Sequence, residues 1–276
     1  MDSIEALELF GEYIKENTPE TIHNKRMHLE PLIYDILKIK YYTIFDKFWN
    51  ENSIPKNSNK AIVLVERRIH ENLAFILRNM FYFARYWSIV VICSDINYNY
   101  LKSICGNNNV KLLQLFEGNP DRDKGRKEYN DLLKSLEFYE MLPYEHLFFV
   151  EMDTYLRKPI DESMFEYDYV AAPYNWDFSS AGGGMSYRKK SVMIDICKRF
   201  TSTTPMQDCF ANEGIKALGY KMPNYLDGMK YICESCFCVD PMGVHQWWTF
   251  FTKNIEHKEI IFHNYLKMEI IEEIKK

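Results

Sequence analysis

Four short apolar runs punctuate the first half of the chain: AIVLV (61–65), SIVVICS (88–94), VKLLQLF (110–116) and HLFFV (146–150). They are rich in β-branched or aromatic side chains, which predicts strands, AIVLV a buried one. Between them lie ENLAFILRNMFYFARYW, NYNYLKSIC and RKEYNDLLKSLEFYEML, where apolar residues return at helical intervals. Alternating strands and helices with near-continuous apolar strands predict an α/β fold with a mostly parallel sheet flanked by helices. After position 167 the pattern is mixed. YDYVAAP and GGGMSYR read as strands, KKSVMIDICKRF and QDCFANEGIKALG as helices, and IEHKEIIFHNYLKMEIIEEIKK as a charged C-terminal helix.

Residues 1–58 have a different rhythm. LEPLIYDILKIKYYTIFDKFW repeats at helical period, and in NTPETI Thr18 can cap a helix whose first position is Pro19. NENSIPKNSNK then interrupts the pattern with Asn, Ser and Pro. The expected organisation is a helical N-terminal extension over 1–58, a main domain over 59–252 and a helical tail over 253–276. Whether the N-terminal helices pack on the domain, form a homodimer or recruit a partner stays open.

Composition narrows the partners. The 276 residues are 47% hydrophobic and 26% charged, enough apolar mass for a sizeable core. Net charge is −5 and no long Lys/Arg block occurs, so there is little drive toward a nucleic-acid backbone. The segment MDSIEALELFGEYIKEN is acidic and lacks a basic stretch followed by an apolar one, and no run of ~18 apolar residues occurs. The expectation is a cytoplasmic protein without a membrane span. Seven cysteines then read as free thiols. In CESCFC, Cys233, Cys236 and Cys238 could join His245 in a Cys3His zinc site, or could be small buried thiols; the spacing leaves both readings open.

Ligands of open α/β sheets bind beyond the carboxyl ends of the strands. The first strand leaves into Glu66-Arg67-Arg68, the second into Ser94-Asp95 and the fourth into Glu151-Met152-Asp153. On an extended strand Glu151 and Asp153 project together, and two adjacent carboxylates repel unless a cation or donors sit between them. A solvated strand end is the plain alternative. Neither G-x-G-x-x-G after the first strand nor G-x-x-x-x-G-K-[ST] occurs, which disfavours a dinucleotide site and a P-loop. Paired oxygen ligands suit Mg2+ or Mn2+ holding a diphosphate.

Taken in order, VERR, VEMDT, AGGGMSYR, QDCF and GVHQWW resemble the motif order of GT-A glycosyltransferases. More narrowly, VERRIHENLAFILRNMFYF, EYNDLLKSLEFYE, FEYDYVAAPYNW and GGGMSYR are similar to stretches of a little-characterised group of GT-A-like, nucleotide-diphospho-sugar transferase proteins. The resemblance spans about 60–248 and implies a metal-dependent transfer of a sugar from a nucleotide-diphosphate donor, a UDP-sugar favoured, to a hydroxyl of a glycan, protein or small molecule. It places VEMDT on the D-x-D motif with Glu151 in place of the first Asp. Asp153 and His245 are then metal ligands, with Glu151 either a third ligand or a donor contact. Val65, Glu66, Arg67 and Asp95 match positions for the base and ribose, and Met152, Gly183 and Gly184 join Glu151 on the donor. Asp208 matches the general base of inverting members; an acid opening a helix also has a purely electrostatic reason to be there. Rival functions are a metal-dependent phosphoryl or nucleotidyl transferase and a non-catalytic sugar-binding relative.

Overall fold

The computed structural model describes residues 18–271 apart from positions 57 and 119. Among the described residues a long helix α1 (Pro19–Glu51) comes first, capped reciprocally by Thr18 and Thr21. Expectations that fall on residues 1–17 and 272–276 lie outside the described residues. The main sheet then follows with β1 (Lys60–Val65), α2 (Leu73–Phe83), β2 (Ser88–Ser94), α3 (Asp95–Cys105) and β3 (Val110–Phe116). Helices α4 (Arg122–Leu132) and α5 (Leu136–Met141) lead to β4 (His146–Val150) and the short β5 (Thr154–Leu156). After a 3-10 turn (Glu162–Glu166) come β6 (Tyr169–Pro173), β7 (Ala181–Lys189), α6 (Lys190–Arg199) and α7 (Gln207–Leu218). The last elements are α8 (Tyr225–Tyr231), β8 (Ile232–Cys233), β9 (Gly243–His245), α9 (Trp247–Phe250) and α10 (Lys258–Tyr265).

Six strands pair in the order β3-β2-β1-β4-β7-β6, all parallel except β7. The fold is therefore the expected α/β class, a mostly parallel sheet flanked by helices. Strand alternation divides the core. On β1, Ile62 and Leu64 face one cluster and Ala61 and Val63 the other; on β4, Phe148 and Val150 oppose Leu147 and Phe149. Helices α1, α2 and α10 supply the first face, and α5, α6 and α7 the second. Burial on both faces is why these strands lack polar alternation.

Helix α1 is part of that core. Ile33, Tyr34, Leu37 and Phe45 are fully buried in the same cluster as α2 and β1. The Tyr34 ring meets Phe75, Tyr155 and Trp248 edge-on, and the chain's far end packs beside it through Phe262 and Met268.

Two expectations are corrected. RKEYNDLLKSLEFYEML is two helices, because Ser135 stops the first by capping the second, its Oγ accepting from Phe138 N at 3.2 Å. Among the described residues, the C-terminal stretch is helical from Lys258 to Tyr265 only. Beyond it the backbone donors go elsewhere, Met268 N to Tyr41 Oη and Ile271 N to Tyr82 Oη, both at 3.0 Å, and Glu269 N to Arg157 O at 2.7 Å.

Candidate active site

Because β7 runs against β4, its beginning lies at the carboxyl end of β4, with Met185 opposite Val150. Gly182, Gly183 and Gly184 are thereby brought beside the acids that follow Val150. Those acids sit in a turn between β4 and β5, closed by Thr154 Oγ1 donating to Glu151 O at 2.7 Å. Their convergence comes from the turn, and the pleat of an extended strand does not produce it. Met152, between them, is 5% exposed and packs in the first core cluster while bordering the site.

The small sheet β5-β9-β8 delivers the histidine. Thr154 pairs with His245, and Gln246 N donates to Asp153 O at 2.8 Å, so backbone register sets His245 against Asp153. His245 Nε2 lies 3.3 Å from Asp153 Oδ1 and 3.9 Å from Glu151 Oε2, and Nδ1 lies 3.4 Å from Glu234 Oε1. Next to it Gln246 holds a positive φ of 28°, a strained setting for a residue with a Cβ, and donates Nε2 to Glu234 Oε1 at 2.9 Å.

These groups border a cavity of about 940 Å³. Of the residues singled out in the sequence, Val65, Glu66, Arg67, Glu151, Met152, Asp153, Gly183, Gly184, Asp208 and His245 all border it. Asp95 does not; at the start of α3, its Oδ1 accepts from Gly118 N at 2.7 Å. Glu66 is held by Arg68, with Oε1 accepting from Arg68 N and Oε2 2.7 Å from its Nη2. Arg67 lies over the Phe116 ring at 4.5 Å and pairs with Glu128, which fixes a flat cationic surface at that end.

Electrostatics sharpen the acid end. Burial works against ionising Asp153, yet His245 and Arg26 outweigh it and hold the carboxyl well below its usual range. Glu151 is pushed the other way, by burial and then by the Asp153 charge. Burial alone would lower His245, but Glu234 and Asp153 raise it well above the ordinary value. Glu30, from α1, is pushed up to about 7 by burial, with the charge of Asp153 adding to it.

Asp208 is the second residue of α7, whose N-cap is Met206. Its Oδ1 accepts from Cys209 N at 2.8 Å, relieving one first-turn donor, and its Oδ2 accepts from Tyr174 Oη at 2.7 Å. The carboxylate thus serves the helix with one oxygen and the Tyr174 hydroxyl with the other, and the residue borders the cavity.

The three glycines do something the sequence did not suggest. A Cβ at Gly184 would stand 2.3 Å from the His245 ring, one at Gly183 2.1 Å from Gln207 Nε2, and one at Gly182 2.5 Å from Glu234 Oε2. The room is taken by the site's own side chains. Gly184→Ala should therefore displace the buried His245 ring, with a stability loss of ~1–3 kcal/mol in chemical denaturation; an unchanged unfolding midpoint would contradict this packing.

Several bordering residues carried no signal of their own in the sequence: Arg26 and Glu30 on α1, Tyr129, whose Oη donates to Glu151 Oε1 at 2.5 Å, and Glu234. Glu234 lay inside CESCFC, where attention goes to sulfur. Those thiols do not gather round His245. Cys233 and Cys238 lie 3.8 Å apart, Cys236 accepts from Tyr225 Oη, and all seven cysteines are free, which favours the buried-thiol reading.

Among the described residues, Glu151, Asp153 and His245 are the group whose ligand atoms come together, all within 4.8 Å of one another. Asp153 Oδ1 and both ring nitrogens of His245 are buried with no hydrogen-bond partner among the described residues, as is Glu234 Oε2. They face one another as close charged neighbours without hydrogen-bond geometry, and a divalent cation that displaced the ring proton of His245 would take up the oxygen and imidazole lone pairs together. The donor set fits Mn2+ or Mg2+.

Residues 116–245 match the family model described as "Protein of unknown function (DUF5672)". No curated protein matches the chain. Among solved structures, the apo-form glycosyltransferase GlyE of Streptococcus pneumoniae TIGR4 is similar, at 12% identity and a TM-score of 0.45. The similarity covers 76% of this chain and 61% of that one, so the chain spans about three fifths of that structure's length. No helix among the described residues is long and apolar enough to cross a membrane.

Proposed function

We propose that this protein is a metal-dependent glycosyltransferase that moves a sugar from a nucleotide-diphosphate donor, a UDP-sugar favoured, to an acceptor hydroxyl with inversion. The observation that carries the reading is the convergence of ligand atoms from Asp153, His245 and Glu151 at the border of a cavity large enough for a nucleotide sugar. Mn2+ or Mg2+ held by Asp153, His245 and Glu151 would supply positive charge to a diphosphate leaving group. Val65, Glu66 and the Arg67–Phe116 surface form the end suited to a base and ribose. Asp208, which borders the cavity with its Oδ2 held by the Tyr174 hydroxyl, would take the proton of an attacking acceptor hydroxyl.

A thermal-shift panel of UDP-, GDP-, CMP- and dTDP-sugars, each with and without Mn2+, tests the reading, since a ligand of the native state raises its apparent stability. A shift that needs both sugar nucleotide and metal, followed by nucleoside-diphosphate release onto an acceptor, is expected. Release of phosphate or nucleoside monophosphate would mark a phosphoryl or nucleotidyl transferase, and absence of any shift a non-catalytic protein. His245→Ala should weaken Mn2+ binding by at least ~10-fold in calorimetry, because even partners behind a metal ligand are worth ~10- to 100-fold. An unchanged titration would return His245 to packing.

A further inference from the structure

Helix α1 lies outside the stretch that resembles glycosyltransferases, yet it walls the cavity with His23, Arg26, Met27, Glu30 and Pro31. One of its side chains reaches the acid end. Arg26 Nη2 is 2.6 Å from Asp153 Oδ2, the oxygen other than the one nearest His245. The arginine side chain is 49% exposed, while Asp153 is 3% exposed.

We propose that Arg26 is a phosphate-binding residue of the donor site, presented by the N-terminal helix to the diphosphate held at Asp153. The inference rests on the reading above that the cavity takes a metal-bound nucleotide diphosphate. Three observations support it.

The first is placement. The guanidinium stands at the carboxylate that a divalent cation would share, so a phosphate bound to that cation comes within its reach. The second is capacity. The contact to Asp153 engages one guanidinium nitrogen, and the next carboxylate, Glu30 Oε2, is 3.7 Å from Nε. A five-donor fork used so lightly and left half exposed can bind phosphate oxygens as well. The third is rigidity. The helix is pinned just before Arg26 by Lys25 Nζ donating to Phe251 O at 2.9 Å. It is pinned two turns later by Tyr34 Oη donating to Thr154 O at 3.1 Å, on the residue following Asp153. Anchors on both sides present the side chain without further ordering of the backbone.

Charge balance points the same way. Asp153, Glu151, Glu234 and Glu30 crowd this end, and Arg68 is already paired with both oxygens of Glu66. A diphosphate adds negative charge here, and the sequence has no P-loop lysine to meet it. The competing view is that Arg26 plugs the site, in which case removing it would help ligands bind.

The test is calorimetric titration of the full chain with Mn2+ alone and then with inorganic pyrophosphate at saturating Mn2+, for wild type, Arg26→Ala and Arg26→Lys. Arg26→Ala should bind Mn2+ alone at least as tightly as wild type, because a competing cation is gone. Its affinity for pyrophosphate should fall ~10- to 100-fold, the worth of one lost charge-assisted hydrogen-bond set. Arg26→Lys, which keeps charge but not the fork, should fall between the two and guards against a folding defect in the alanine variant. Unchanged pyrophosphate affinity in Arg26→Ala overturns the inference, and tighter binding replaces it with a plug. If wild type binds Mn2+ and pyrophosphate but the variants match it, the inference alone fails. If wild type binds no Mn2+, the metal reading falls and takes the inference with it.

Discussion

Asp153→Asn is expected to lower Mn2+ affinity by more than ~100-fold and to remove metal-dependent donor binding, while the chain still folds. Partners behind a ligand are already worth ~10- to 100-fold, and Asp153 would be a ligand itself. The substitution keeps the shape of the side chain and the backbone bond from Gln246 N to Asp153 O, so β5 and β9 stay in register. What disappears is the charge that His245 and Arg26 now stabilise. Arg26, half exposed, can return to water, and the repulsion that raises Glu151 is relieved. Calorimetry with Mn2+ and circular dichroism on the same samples check both halves. Wild-type metal affinity in the folded variant would dismiss the assignment of the site.

Asp208→Asn should leave metal and donor binding unchanged and reduce turnover by ~10²- to 10⁴-fold, the usual contribution of a positioned general base. The amide oxygen can still accept from either Cys209 N or Tyr174 Oη, and losing one first-turn charge costs the helix only ~0.3–1 kcal/mol, so the loss of turnover would belong to chemistry. A base on the acceptor side implies direct displacement, and proton NMR of the product reads the anomeric configuration. Retention of configuration, or near wild-type turnover in the variant, would leave Asp208 as a helix-terminal charge.

The sheet was legible in the sequence because strands buried on both faces must be almost wholly apolar, and AIVLV, SIVVICS and HLFFV are. The acids were legible because a polar break after such a run falls at the ligand-binding end of a parallel sheet. Their geometry was not. A three-residue turn, which a period-2 reading cannot represent, sets Glu151 and Asp153. Glycines announce only that a Cβ is forbidden, and nothing in GGGMSYR says that it is Gln207 and His245 that crowd Gly183 and Gly184. Arg26, Tyr129 and Glu234 were silent for a further reason. Each reaches the site through a partner on another element, 127 residues away for Arg26, 22 for Tyr129 and 12 for Glu234, and nothing local to RMH, EYND or CESC encodes that.

The order in which the chain is made bears on that distance. Helix α1 is made before the residues it packs on: Lys25 needs the carbonyl of Phe251, 226 residues later, and Arg26 needs Asp153, 127 residues later. Loop closure over such spans comes at an entropic cost before any contact returns it. During synthesis, the apolar face of α1 carrying Ile33, Tyr34, Leu37 and Phe45 must wait, exposed, for partners not yet made. A chain grown short of Phe251 therefore cannot seat α1 fully, and this wall of the cavity waits on contacts made across most of the described residues.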